Sequence, residues 1–231
     1  MDGPHPQPLS HARERGDDAT GFPFPLAWGK GPGDEHFPLT VWTIGHSNHA
    51  LAHFLTLLAT HGIEMVADVR SAPYSRYAPQ FGRDALRMNV TNAGMRYLFM
   101  GKELGGRPAE PSLYDEEGHV RYDLVSQTHD FTRGISLLRP LIGGQRVALL
   151  CAEDDPIHCH RRLLVGRVLR DDSIGVLHVR GDGRIESNDE IDARERPPGG
   201  QLGLFDEAEV KPWRSTRSVS RNDPPPRSSE P

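Results

Sequence analysis

Cysteine is scarce in this chain: Cys151 and Cys159 are the only two in 231 residues. Two thiols cannot build a disulfide framework, and their scarcity fits a reducing, cytoplasmic setting. Apolar residues are also thin, at 36%. That share is below the usual globular value and implies that part of the chain lies outside any packed core. No apolar run approaches the length needed to span a bilayer, so no membrane role is expected. The opening stretch MDGPHPQPLSHARERGDD has no apolar centre, which excludes a secretory signal peptide. An excess of positive charge is missing too. A formal net charge of −5 excludes wholesale coating of nucleic acid and leaves room for a local basic pocket.

The remaining composition divides the chain in three. Residues 1–37 are rich in Pro, Gly, His and charge, carry no helical or strand period, and read as a disordered arm. Residues 181–231 read the same way, apart from a short apolar island, QLGLF. Residues 38–180 between them read as a single domain.

That domain alternates in type. LTVWTI (39–44) reads as a strand. Leu51, Phe54, Leu55 and Leu58 follow at helical spacing, with Ser47 or Asn48 as cap and Gly62 as stop. IEMVADVR (63–70) reads as a buried strand, Arg83–Asn92 as a weaker helix, and MRYLFM (95–100) as a strand. Phe131, Ile135 and Leu138 mark a third helix. RVALLC (146–151) is a continuous apolar strand, Leu163, Leu164, Val168 and Leu169 mark a fourth helix, and VLHV (176–179) ends the series. Such alternation predicts an α/β fold: one compact Rossmann-like domain, with a mainly parallel sheet and helices on both faces.

Unusual polar residues fall just after the strands. GHSN (45–48), DVRSAPYSRY (68–77), GKELGGRP (101–108) and CAEDDPIHCHRR (151–162) all follow strand ends. In a parallel sheet those ends share one edge, where open α/β folds bind ligands. His46, Ser47, Arg70, Arg76, Lys102 and Arg161 are candidate binders of an anionic substrate, the arginines by bidentate pairing. Asp68, Glu103, Glu153 and His160 are candidate proton-transfer groups. Solvated loop ions and local salt bridges are the plain alternative for each charge.

The two thiols carry separate arguments. Cys151 ends an apolar strand, where a buried small hydrophobe is the bland reading. Cys159 falls near a helix start beside His158, His160 and Arg161, an environment that lowers a thiol pKa. The phosphatase pattern of a cysteine and an arginine separated by five residues fails from both: Ile157 and Val165 hold the arginine position. Adjacent ligands on a helix diverge and no CxxC spacing is present, so no metal is assigned. No cofactor is expected. The sequence leaves open which cysteine is the reactive one.

Four motifs in order, TIGHSN, DVRSAPYSRYAPQF, GMRYLFMGKELGG and CAEDDPIHCHR, together resemble the family known as domain of unknown function 488. The resemblance covers about Trp42 to Val179. It implies a compact α/β domain and marks Cys151, Ala152, Glu153 and Cys159, His160, Arg161 as recurring elements. It implies no particular reaction.

The island at Gln201–Phe205 resembles the peptide by which bacterial repair and replication proteins grip the DNA sliding clamp. In such peptides a glutamine fills a polar subsite and a Leu-Phe pair an apolar one, matched here by Gln201, Leu202, Leu204 and Phe205. The competing reading is a tail segment docked back on the domain. Three functions therefore stand: an enzyme acting on a phosphate-bearing nucleotide or nucleic-acid substrate, recruited by the clamp; a non-catalytic nucleotide- or DNA-binding module recruited the same way; and a small-metabolite enzyme with a reactive cysteine.

Overall fold

A computed structural model describes residues 39–74, 77–195 and 212–218. Its strands are β1 (Leu39–Gly45), β2 (Met65–Asp68), β3 (Arg96–Phe99), β4 (Val147–Cys151), β5 (Ile174–Val179) and β6 (Ile185–Ser187). They form one six-stranded sheet in the order β3-β2-β4-β1-β5-β6. The first five are parallel, and β6 runs antiparallel to β5. The mixed, mostly parallel sheet with helical cover is the α/β architecture expected from the alternation of patterns.

Strand alternation decides what covers each face. Val41, Ala67, Val147, Leu149, Ile174 and Val176 pack with Phe131, Ile135 and Leu138 of α5 (His129–Gly144) and with Leu164 and Leu169. Their neighbours Trp42, Ile44, Val66, Ala148, Leu150, Leu177 and Val179 pack on the other side. There they meet α1 (Leu51–Thr60) and α2 (Arg83–Asn92) through Phe54, Leu58, Leu86 and Val90. Successive side chains of a strand point to opposite faces, so each apolar run feeds both cores. Every residue of β4 is buried. Each large apolar side chain so buried contributes roughly 1.5–3 kcal/mol. Short helices α3 (Gly101–Leu104) and α4 (Tyr122–Val125) complete the α5 side.

Three local expectations are corrected. Ser47 and Asn48 do not cap α1; Ala50 does, without a side-chain bond. Ser47 instead takes a left-handed φ of 44°, and its N–H prolongs the β1–β4 pairing by donating to the Ala152 carbonyl. The fourth helix opens as a π segment (Arg161–Gly166) before continuing as α6 (Arg167–Asp171). The fold also runs past Arg180. His53 of α1 and His61, which caps that helix at its C-terminal end, bond the Gly181 and Gly183 carbonyls, β6 pairs with β5, and α7 (Asn188–Glu195) follows. Arg162 fastens α7, reaching Asn188 at 3.2 Å, Glu195 at 2.8 Å and Asp192. Farther on, Trp213 Nε1 donates to the Leu163 carbonyl at 2.7 Å, and Ser215 exchanges bonds with Val120.

No helix among the described residues is long and apolar enough to cross a membrane.

Candidate functional site

Gly45 pairs with Cys151, and Asp68 with both Leu150 and Phe99, so these strand ends share one edge of the sheet. The pleat then divides the expected site residues between the two faces. Asp68, Arg70 and His46 lie on the α1–α2 side, and Cys151, Cys159 and His160 lie on the α5 side.

The first group is closed and internally satisfied. Asp68 has no exposed surface, and Arg70 is 4% exposed. Arg70 binds it through two guanidinium nitrogens, Nε at 2.8 Å and Nη2 at 2.6 Å. The Arg70 backbone N–H adds a bond at 3.1 Å, and the Tyr97 hydroxyl donates at 2.6 Å. Arg70 Nη1 reaches the Phe81 carbonyl at 2.9 Å and His46 Nε2 at 3.0 Å. The His46 tautomer follows from its partners. Nδ1 faces the Ser47 carbonyl at 2.7 Å and must donate, so Nε2 accepts from Arg70. Burial, then the Arg70 charge, lowers the His46 pKa to about 4. Burial and the adjacent Asp68 carboxylate push the Tyr97 phenol up. For Arg70, burial opposes the charge, but Asp68 outweighs it and the pKa rises. The guanidinium expected to hold substrate is thus engaged with protein groups.

Arg161 has a similar fate. It is the largest fully buried side chain, and it donates to the Glu153 and Asp154 carbonyls. Gly45 makes room for this clamp, since a Cβ there would collide with the Glu153 carbonyl and the Arg161 guanidinium. The Glu153 side chain is exposed and lies 3.9 Å from Arg217. Glu103 faces α5, 3.6 Å from Arg133. Lys102 is exposed on α3. Arg76 and the Gln201, Leu202, Leu204 and Phe205 peptide lie outside the described residues.

The second group is of another kind. Cys151 and Cys159 are both free and buried. His160 Nε2 lies 2.9 Å from the Val69 carbonyl and so carries the hydrogen. That leaves Nδ1 bare, 3.7 Å from Cys151 Sγ and 3.9 Å from Cys159 Sγ. Gly106 leaves room for His160, since a Cβ there would strike the ring. The Cys159 thiol, donating to Cys151 sulfur, holds the Cys151 pKa well below the ordinary thiol range, with His160 and Arg161 adding to the effect against desolvation. Burial and the neighbouring Cys151 charge push Cys159 up. Burial disfavours a charged His160, but Cys151 and the Val69 carbonyl outweigh it and raise its pKa. Tyr122, 2% exposed, lies in the same surroundings, its phenol pushed up by burial and then by Cys159 and Glu153. Sequence reasoning missed Tyr122, because YDLV carries no polar cluster to single it out.

A separate cavity of about 510 Å³ lies by Tyr114, Asp115, Arg121, Asp123, Trp213 and Arg214. None of the expected site residues that the structure describes lines it.

A family model described as "Domain of unknown function DUF488" matches residues 50–168, which span α1 through the π segment and both cysteines. No curated protein and no solved structure matches the chain.

Proposed function

The chain belongs to the family described as domain of unknown function DUF488, and from that premise we propose that it is an enzyme with a nucleophilic cysteine, Cys151, working against His160. The observation that carries this reading is the 3.7 Å approach of His160 Nδ1 to Cys151 Sγ, with Nε2 tied to a backbone carbonyl. A base whose far nitrogen is held by a fixed acceptor is oriented to take the thiol proton. In this scheme Nδ1 receives that proton and the thiolate attacks an electrophilic centre of a small metabolite. The departing group then takes the proton back from His160. Glu153, exposed in the loop after β4, is the neighbouring group for further proton transfer. Cys151 is only 7% exposed, so the substrate's reacting end must be slender.

The test is stoichiometric alkylation of the native, metal-free chain by iodoacetamide at neutral pH. Expected is one label, on Cys151, and none there in Cys151→Ser. Labelling confined to Cys159, or no labelling until the chain is denatured, defeats the reading.

A phosphate-bearing nucleotide or nucleic-acid substrate is the second reading. The exposure of Lys102 directly after β3, at the same sheet edge, favours it. Arg70 and Arg161 give it no help, because both guanidinium groups are held by protein partners. Nucleotide binding that is unchanged in Lys102→Ala removes this reading. Binding without any turnover favours the non-catalytic module instead. Recruitment to a bacterial sliding clamp through Gln201–Phe205 is proposed from the sequence match alone. Titration of a synthetic peptide covering residues 198–208 against such a clamp tests it: absence of binding at high micromolar concentration ends it.

A further inference from the structure

We propose that Cys151, Cys159 and His160 also form a three-donor site for a soft divalent transition metal, best suited to zinc, with the fourth position open to water or another ligand. The two sulfurs and Nδ1 all lie within 4.8 Å of one another. Tetrahedral zinc with bonds of about 2.3 Å to sulfur and 2.0–2.1 Å to nitrogen sets its sulfur and nitrogen donors roughly 3.6 Å apart. The observed separations, 3.7 and 3.9 Å, need only a slight contraction. Metal-binding imidazoles typically give their other N–H to a carbonyl or carboxylate, which fixes the ring. The bond from His160 Nε2 to Val69 is such a support.

The donors are also held by rigid parts of the fold. Cys151 ends a strand paired on both sides, and Cys159 and His160 lead directly into the buried π segment. Divergence of adjacent helical ligands, one of the two reasons for assigning no metal from sequence, does not apply. Cys159 precedes the helix, so the two neighbours do not share helical geometry.

A second group of potential ligands shows the contrast. Asp115, Glu117 and His119 also converge. There, however, Arg214 already supplies the positive charge, 2.6 Å from Asp115 and bonded to Glu117 as well. Beside the two sulfurs and the imidazole the cation is Arg161, and its guanidinium is taken up by the Glu153 and Asp154 carbonyls.

The metal site uses the same side chains as the nucleophilic reading, but does not depend on it. An ion on this site takes the lone pair of His160 Nδ1 that the base needs and draws charge from the Cys151 thiolate, so the two uses compete. The experiment is a titration of the full reduced chain, stripped with chelator, by Co²⁺ and then Zn²⁺. Expected is one Co²⁺ per chain with near-ultraviolet thiolate-to-metal absorption, displaced by Zn²⁺. His160→Ala should weaken binding by about tenfold or more, the scale at which even supporting groups of metal sites matter. Bound Zn²⁺ should also slow alkylation of Cys151. The proposal is overturned by absence of stoichiometric binding, by Co²⁺ bound without the thiolate band, or by undiminished binding in the Cys151→Ser, Cys159→Ser double variant. The wild-type spectrum decides even where a variant fails to fold. Alkylation at equal rates with and without Zn²⁺ removes the metal and keeps the nucleophile. A thiolate band in a chain whose metal-free form resists alkylation keeps the metal and removes the nucleophile.

Discussion

Two polar clusters sit at the same edge of one sheet, on opposite faces, and they are built by different rules. Around Asp68 every strong group has a strong partner. Its carboxylate accepts from the Arg70 backbone, two guanidinium nitrogens and the Tyr97 hydroxyl, and Arg70 is completed by Phe81 and His46. Around Cys151 two sulfurs share a single imidazole nitrogen at 3.7 and 3.9 Å. Sulfur is a weak hydrogen-bonding atom, so this pocket leaves bonding capacity unused. The first cluster holds the fold together, and the second is left able to react or coordinate. The comparison teaches that density of charge in a motif does not identify a site. What identifies it is bonding capacity that the protein itself does not use.

The difference can be broken most forcefully at Arg70. Arg70→Ala strands the Asp68 carboxylate in the core, and loss of one partner of a buried pair costs about 3–5 kcal/mol. Denaturant unfolding should show that loss. A variant that is normally stable but poor in anion binding would make Arg70 a ligand holder and erase the contrast.

Acid sharpens the same contrast. His46, facing Arg70, Asp68, Cys151 and the Ser47 carbonyl, stays neutral in the fold to about pH 4. An unfolded histidine titrates near 6.5, so below that value the unfolded state binds the extra proton. Stability is therefore complete above about pH 6.5 and is lost as pH falls toward 4, by roughly 2–3 kcal/mol from this residue. The slope of unfolding free energy against pH should flatten in His46→Gln. An unchanged slope would mean that His46 is protonated in the native fold.

Gly45 joins the two regions, because the loop after β4 rests on it. Gly45→Ala forces the Glu153 carbonyl and Arg161 aside, an overpacking worth about 1–3 kcal/mol. It should also alter the alkylation rate of Cys151, since that loop leads from Cys151 to Cys159. The smallest expected effect is at the sulfur itself. Cys151→Ala removes one methylene-sized group from the core, about 1 kcal/mol. A loss as large as that of Arg70→Ala would make Cys151 a structural residue.

The sheet was legible because its strands are continuous apolar runs bounded by glycine or charge. Val147–Cys151, all buried, is the clearest case. The convergence of the loops followed from parallel pairing alone. The division between two faces did not, because it depends on which residue of each strand end points up or down. Arg70 and Arg161 were expected to hold an anionic substrate because arginines in loops after strand ends suit that task, yet each found its partners inside the protein. The elements after Arg180 escaped notice because α7 docks chiefly through the ion pairs of Arg162, and only Asn188 and Ile191 are buried there. Trp213 anchors its segment through hydrogen bonds to the Leu163 carbonyl and from the Asp123 N–H and through a stacked Arg167, leaving no periodic signal.

The π segment after His160 makes the site vulnerable to a change in chain length. A π turn already holds one residue more than an α turn, so a further residue inserted within Arg161–Gly166 would turn one flank against the other by about 100° around the helix axis. The downstream end cannot turn, because Leu169 is fully buried beneath the sheet. The rotation must then fall on the upstream end, which carries Cys159, His160 and Arg161. The imidazole would swing away from the Cys151 sulfur, and the clamp on the Glu153 loop would open in the same movement. A lengthened chain of this kind would keep its core while losing the alignment of the groups that face Cys151.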